Sequence, residues 1–464
     1  MTTTRGIKAT AKSGDASTDA TTKTGAKMGC TVSRTSCIEA VVNVCVAATV
    51  LDNVCVFSRM ERAWWPHSIE CGGTRPPAKA KFARLNHGSF GSAPRPVLAA
   101  ASAAREKWLA QPDALYFGGG LEAAIKASHR AAARAIRAEC ACLVENSTVA
   151  TAIVATRWRR LGGRALVLSV AYGGVRRSLE TILGQDAVVV ADVPFPGTDH
   201  RNALDGLRVA LAEHRPRFAM LDHISSQPAI ELPVAEMVAT CRSWGVREVA
   251  IDAAHCLGQF DALDVPGLGA DWWFSNVHKW GFAPPSACVL WSGHLDTTRH
   301  VVPSWNGSDG LLDACLWTGT RDYASFVAVE RALEYLEAWR SVDGETAPSY
   351  NRRGLRGAMN DLQRAWNVEP VYDEDACCSA LGMVRLPPGL DLSKDAPGQP
   401  ASVNSLRARL RDRYGVEAAV GGFRIKNNES SSVEGFLRLS HAVYNTDRDF
   451  ARLRDAVLDL VAAS

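Results

Sequence analysis

The chain has 464 residues, 47% of them hydrophobic, and 52 Lys and Arg against 49 Asp and Glu leave a formal net charge of +3. That balance gives no electrostatic case for a nucleic acid or an acidic membrane as partner, and the length exceeds one ordinary domain. The 13 cysteines form no C-x-x-C pair. Cys140/Cys142 and Cys377/Cys378 stand too close for a zinc knuckle, so free thiols in a reducing compartment and no metal are expected.

Residues 1–30 are rich in Thr, Ala, Ser and Lys without apolar periodicity, and are expected to stay disordered. Arg5, Lys8, Lys12, Lys23 and Lys27 outnumber Asp15 and Asp19, which permits a transit-peptide reading. The apolar run 37–57 is broken by Glu39, Asn43, Asp52 and Asn53. Each charge at membrane depth costs about 2.5–3.5 kcal/mol, which argues against a span. Residues 1–75 are therefore expected to be a disordered or targeting extension, with Pro76-Pro77 as linker. The expected location is the cytoplasm, or an organelle if the extension is a transit peptide.

Leu85 to Gly91 is a turn-rich entry segment, and Pro94 and Pro96 open a helix running through Arg105 and Trp108. Residues 121–140 have helical apolar spacing. Glu145-Asn146-Ser147-Thr148 precedes another helical pattern. A helix start of that kind is either a plain cap or, with its free N–H groups, a place for an anion. Strands Arg164–Leu168, Ala187–Val190, Phe218–Leu221, Val249–Ile251 and Trp272–Phe274 alternate with helices around 204–213 and 234–243. Such alternation predicts an α/β fold with a mostly parallel sheet flanked by helices. A helix over 324–339 leads to a boundary near 345. Beyond it the pattern predicts helix 352–366, strand Gly382–Leu386, helix 403–414, strands Glu417–Val420 and Leu437–Ser440, and a final helix 447–461. The expected layout is a large domain over 80–345 and a smaller C-terminal α+β domain over 346–464.

Residues 249–281 carry the chemistry. Val249–Ile251 ends at Asp252, and Trp272–Phe274 leads through Ser275 and Asn276 to His278 and Lys279. Two strand ends thus deliver an acid and an amine at the edge where open α/β sheets place their ligands. A lysine that bonds the aldehyde of pyridoxal phosphate, and a carboxylate that holds the proton on its ring nitrogen, fit that pair. A helix cap and a surface amine fit the spacing equally. Trp272, Trp273, Trp280 and Phe282 are candidates for a dry wall that lowers the lysine pKa.

The stretch IDAAHCLGQFDALDVPGLGADWWFSNVHKW resembles the lysine region of the class V aminotransferase superfamily (fold type I). It is most similar to the isopenicillin N epimerase-like branch, with its D-x-A-H, G-A-D and H-K-W elements. LNHGSFGSAPRPVL at 85–98, ENST at 145–148, LDHISS at 221–226, WTGTRD at 317–322 and LRLSHAVYNT at 437–446 keep the family order. The resemblance implies a large domain binding pyridoxal 5'-phosphate, with Lys279 bonded to the aldehyde carbon and Asp252 on the ring nitrogen. It places His255 and Ser226 at the ring hydroxyl, Ser147 and Thr148 in a phosphate cup, and Asn276 and His278 closing the site, with His278 donating to the phosphate. Relatives carry D-H-A-Y-G where this chain has Ser169-Val170-Ala171-Tyr172-Gly173, so either Tyr172 stacks on the ring or Val170 packs against it. Thr320 would reach a neighbouring subunit's phosphate, which implies a homodimer with sites at the interface. Arg438 would fork onto the substrate α-carboxylate, and Asn86 and His87 would skirt the substrate mouth.

The reaction then implied is chemistry at the α-carbon of a small amino-acid substrate, epimerase-like. One alternative is a C–S lyase acting on a cysteine conjugate or sulfoxide. Another is a catalytically silent binding protein of the same fold. Cysteine desulfurases need a cysteine shortly before the carboxylate-binding arginine, and Val420 to Arg438 contains none, which argues against persulfide transfer. No second base is evident opposite Lys279, which disfavours a true epimerase.

Overall fold

The computed structural model describes residues 82–463 apart from 308–309, 373–378, 396–401, 403 and 428–429. The expectations for 1–75, for Pro76-Pro77 and for Cys377/Cys378 fall outside the described residues. Twelve strands occur among the described residues: β1 Ala83–Arg84, β2 Cys142–Val144, β3 Ala165–Leu168, β4 Val188–Ala191, β5 Phe218–Asp222, β6 Glu248–Asp252, β7 Trp272–Asn276, β8 Cys288–Ser292, β9 Leu381–Arg385, β10 Val416–Glu417, β11 Ala419–Asn427 and β12 Ser430–Ser440.

Seven of them form the main sheet in the order β2-β8-β7-β6-β5-β3-β4. The run from β7 to β4 is parallel, while β8 is antiparallel to both β7 and β2. Strands β3, β5, β6 and β7 are buried at every position. A sheet covered on both faces produces such unbroken apolar runs. Leu166, Leu221, Ile251 and Trp273 face one core, shared with helices Arg95–Ala110, Gly120–Ala135, His200–His214 and Val234–Ser243. Val167, Met220, Ala250 and Trp272 face the other, closed by Ile153, Val154 and Trp158 of helix Ser147–Leu161.

The C-terminal part holds an antiparallel sheet, β11-β12-β9. Leu355, Leu362, Val384, Leu437, Leu439, Leu453 and Val457 pack it against helices Ala347–Trp366, Leu406–Tyr414 and Asp447–Ala462. β1 pairs in parallel with β10, so the chain visits this part before building the main sheet.

Several elements differ from expectation for visible reasons. The helix expected over 324–339 is two helices, Ala324–Val327 and Val329–Ala338. At the break the Ser128 hydroxyl donates to the Val327 carbonyl and accepts from the Glu330 amide, both at 3.3 Å. The helix expected from 352 starts at Ala347, because the Thr346 side chain caps it by accepting from the Ser349 amide. The strand expected over Glu417–Val420 is divided between β10 and β11. No helix among the described residues is long and apolar enough to cross a membrane. Cys140, Cys142, Cys241, Cys256, Cys288 and Cys315 are free thiols.

Candidate active site

The C-terminal ends of β5, β6 and β7 and the one-turn helix Val277–Trp280 that follows β7 define the site. Lys279 Nζ lies 3.0 Å from His255 Nε2. The amine donates, so the neutral His255 ring carries its proton on Nδ1. That nitrogen is buried without a hydrogen-bond partner among the described residues, an open donor. Burial lowers the Lys279 pKa to about 8, with the Asp252 charge pulling it back up and Arg438 pushing it down. Asp252 is buried, and one carboxylate oxygen accepts from the Ala254 amide at 3.0 Å. Burial raises its pKa to about 6 against that hydrogen bond and the Lys279 charge. A desolvated acid and a desolvated amine therefore act on one another across the ends of adjacent strands.

The backbone of the lysine is held as firmly as its tip. His87 Nε2 donates to the Lys279 carbonyl at 2.9 Å, and its Nδ1 accepts from the Tyr444 hydroxyl at 2.9 Å. The His87 ring packs 4.7 Å from Trp280. Gly91, at φ +65, passes so close that a Cβ there would sit 1.7 Å from the His278 carbonyl oxygen, so glycine is required.

Asn146 caps helix Ser147–Leu161 by accepting from the Val149 amide. The Ser147 amide donates to Asn276 Oδ1 at 3.0 Å, which pins the helix start to the end of β7. Ser147 is buried and Thr148 is exposed. His278 Nδ1 donates to the Ala287 carbonyl at 3.0 Å, leaving Nε2 as a donor only in the doubly protonated ring. Burial lowers the His278 pKa to about 4, so a phosphate would have to supply the charge that favours that form.

Arg438, on β12, is 5% exposed. Its Nη1 donates to the Ser226 carbonyl and hydroxyl at 3.0 Å, and its Nη2 to Asn86 Oδ1 at 2.8 Å and to the Ser89 hydroxyl. Its Nε has no partner among the described residues. Burial lowers its pKa to about 10, so the group stays cationic near neutrality. All four of these acceptors are neutral. A buried guanidinium held only by neutral oxygens carries an unbalanced charge that favours an anion as partner.

The expected site residues thus divide. Lys279, Asp252 and His255 are together, and Ser147, Asn276 and His278 form the adjoining wall. Ser226 and Asn86 meet at Arg438 in this structure. His87 is buried, has both ring nitrogens engaged and supports the lysine backbone. Val170 is buried in the main core, whereas Tyr172 is 53% exposed at the start of helix Gly173–Leu183. Thr320 is exposed. Its loop is anchored by Arg321, which stacks on Tyr323 at 4.1 Å and lies 3.5 Å from Glu145. Sequence reasoning passed over Ser89, Asn146, Tyr444 and Asp222, although all four lie inside or beside the quoted blocks. Ser89 stands three residues after Asn86, and its hydroxyl donates to Asn86 Oδ1 at 2.9 Å.

No family model matches the chain. It is 34% identical over 404 residues to a probable chloroplastic L-cysteine desulfhydrase of Arabidopsis thaliana, covering 82% of this chain and 83% of that one. It is 25% identical over 340 residues to isopenicillin N epimerase of Streptomyces clavuligerus, covering 68% and 78%. Its fold is similar to that of a cysteine desulfurase from Escherichia coli, with a TM-score of 0.62 and 18% identity over 87% of this chain and 98% of that one.

The residues present fit pyridoxal 5'-phosphate: a desolvated lysine, a buried carboxylate beside it, an open His255 donor and a pinned helix N-terminus. Fold and site define an enzyme that depends on this cofactor. The chain belongs to the class V aminotransferase superfamily, in the branch that L-cysteine desulfhydrases share with isopenicillin N epimerase.

Proposed function

We propose that the chain is a C–S lyase that desulfhydrates L-cysteine, converting it with water to pyruvate, ammonia and sulfide. The observation that carries this reading is the 34% identity to a desulfhydrase across four-fifths of the chain. Epimerisation, the first expectation, has a 25% identical relative in its favour. The hairpin before Arg438 separates the reading from desulfurase chemistry. β11 and β12 pair without interruption from Ala419↔Arg438 to Asn427↔Ser430, and residues 420–438 hold no cysteine. No thiol from this hairpin is available to take up sulfur, which supports release of the sulfur as sulfide.

Bound pyridoxal phosphate supplies an electron sink that weakens the substrate's Cα–H and Cβ–S bonds. Asp252 holds the proton on the ring nitrogen, and its burial keeps that contact free of competing water. Arg438 binds the substrate carboxylate in a fork, its N–H groups exchanging some of the neutral acceptors on Asn86, Ser89 and Ser226 for the carboxylate oxygens. Lys279, neutral in a useful fraction near pH 8, removes the Cα proton. His255 Nε2 holds the amine by accepting its hydrogen bond. The proton taken up by Lys279 is then available to the departing sulfur. Trp280 and Phe282, both 1% exposed, close the wall behind the lysine.

Two further parts belong to this reading. The exposed loop of Thr320, with exposed Phe117 and Trp305 at 80% and 85%, supports a homodimer; sedimentation of the purified protein tests it. The chloroplastic label of the Arabidopsis relative supports residues 1–75 as a targeting extension, tested by locating a fluorescent fusion. The reaction is tested with purified holoenzyme and L-cysteine, S-alkyl cysteines and cysteine sulfoxides. Equimolar sulfide and pyruvate from L-cysteine support the reading. D-cysteine without pyruvate, or alanine with protein persulfide, overturns it.

A further inference from the structure

The main sheet buries a carboxyl that the chemistry above does not use. Asp222 ends β5 and Asp252 ends β6, and the two are register partners in that parallel pair. Register partners present their side chains to the same face, and adjacent strands lie about 4.8 Å apart. The two carboxyls are therefore neighbours at the C-terminal edge of the sheet. Both are buried, 3% and 4% exposed.

Their surroundings are unequal. Asp252 accepts from the Ala254 amide at 3.0 Å and feels the charge of Lys279. Asp222 Oδ2 is buried with no hydrogen-bond partner among the described residues. Burial, and then the Asp252 charge, push the Asp222 carboxyl well above the usual carboxylate range. The nearby titratable groups bring no positive charge to it. His223, next in the chain, and Cys256, in the turn after β6, are both kept neutral by burial. Glu231 is itself raised by burial, and Lys279 faces Asp252. Two carboxylates side by side in one dry place do not both ionise, and the proton stays on the one with fewer donors.

We propose that Asp222 is a positioning residue of the cofactor site. It stands protonated beside Asp252 and donates its O–H to that carboxylate, so the pair presents a single negative charge aimed at the ring nitrogen. The inference rests on Asp252 as the ring-nitrogen partner in the reading above. The O–H donation gives Asp222 Oδ2 the partner it lacks and fixes the rotamer of Asp252.

The test is infrared spectroscopy of the protein, with and without cofactor, together with turnover of the holoenzyme. The expected spectrum at neutral pH contains the carbonyl stretch of a protonated carboxylic acid, and Asp222→Asn removes it. Asp222→Ala, which lacks a donor, is expected to lower kcat about tenfold with KM unchanged, while Asp222→Asn, which keeps an N–H donor, recovers most of that loss. A wild-type spectrum without the acid band, or a band that persists in Asp222→Asn and so belongs to another acid such as Glu231, overturns the proposal. Should Asp222→Ala fail to fold, the comparison of wild type with Asp222→Asn decides alone. Asp252→Asn separates the two levels. If it leaves the cofactor's absorbance unchanged, the ring-nitrogen reading falls; if it alters that absorbance while the acid band is missing from the wild type, only the Asp222 inference falls.

Discussion

The amine of Lys279 lies 3.0 Å from His255 Nε2, and burial has brought its pKa down to about 8. The imidazole is neutral, because burial, and then the cations Lys279 and Arg438, hold its own pKa well below the ordinary value. A neutral acceptor steers the amine without adding a competing charge. Chemistry and electrostatics therefore agree on which of the two is protonated at pH 7.

A pH dependence follows for the cofactor-free protein. The reactive form of Lys279 is the neutral amine, which accumulates as pH rises through the folded pKa. Capture of added pyridoxal phosphate, trapped with borohydride, is expected to rise with pH and reach half its limiting rate near pH 8. An amine left in water would require a pH above 10. Lys279→Ala is expected to trap nothing. A midpoint above 10 in the wild type would contradict the desolvated site.

Arg438 has a different signature. Its donors hold Ser226, Asn86 and Ser89 in this structure. A substrate carboxylate gains two charge-assisted hydrogen bonds there, and losing them costs roughly 3 kcal/mol, about a hundredfold in affinity. Arg438→Lys keeps the charge but not the fork, so it is expected to raise KM for cysteine by a similar factor. Steady-state kinetics on both Arg438→Lys and Arg438→Ala check this; unchanged KM in both would remove Arg438 from the substrate's path.

His87 invites the opposite pattern. It lies between the Lys279 carbonyl and the Tyr444 hydroxyl, 2.9 Å from each, and it is fully buried. Its loss loosens the lysine turn by a fraction of an ångström, and misplacement of that size costs from tenfold to a hundredfold in rate. His87→Asn and Tyr444→Phe are expected to lower kcat with little change in KM. A large rise in KM with kcat intact would restore His87 to the substrate mouth.

Much of this site was legible because its chemistry sits on short, ordered stretches. Asp252, His255, His278 and Lys279 occupy one segment of 28 residues, and strands that end in polar residues announce themselves by their apolar runs. What stayed hidden depended on contacts between distant parts of the chain. Asn86 and Arg438 are 352 positions apart, and His87 and Tyr444 are 357 apart, so neither pairing has a local pattern. β2 and β8 escaped notice because Cys142-Leu143-Val144 is only three residues long and β8 runs against its neighbours. Asp222 was in view inside LDHISS, but its importance comes from register with Asp252, which sequence spacing does not encode.

The far end of β6 gives a prediction about stability apart from catalysis. Glu248, 2% exposed, accepts from Arg157 at 2.9 and 3.1 Å and from the indole N–H groups of Trp158 at 3.0 Å and Trp272 at 3.1 Å. Burial alone would raise its pKa, but hydrogen bonds from Arg157 and Trp272 outweigh it and the net shift is downward. Truncation to alanine leaves two buried indole donors and the partly buried Arg157 guanidinium without their shared acceptor, at a cost of roughly 3 kcal/mol. A lowered folded pKa means the unfolded chain binds more protons just below 4.5, so the contribution is complete above that pH and is lost as pH falls through the folded value. Glu248→Ala is therefore expected to be far less resistant to urea than wild type at pH 7, with the gap narrowing below pH 4.5. Four steps along the strand, about 13 Å, separate Glu248 from Asp252. The folded fraction should then keep its kcat, and equal unfolding midpoints at pH 7, or lost turnover in the folded variant, would show that this network does something other than hold the sheet to its helix.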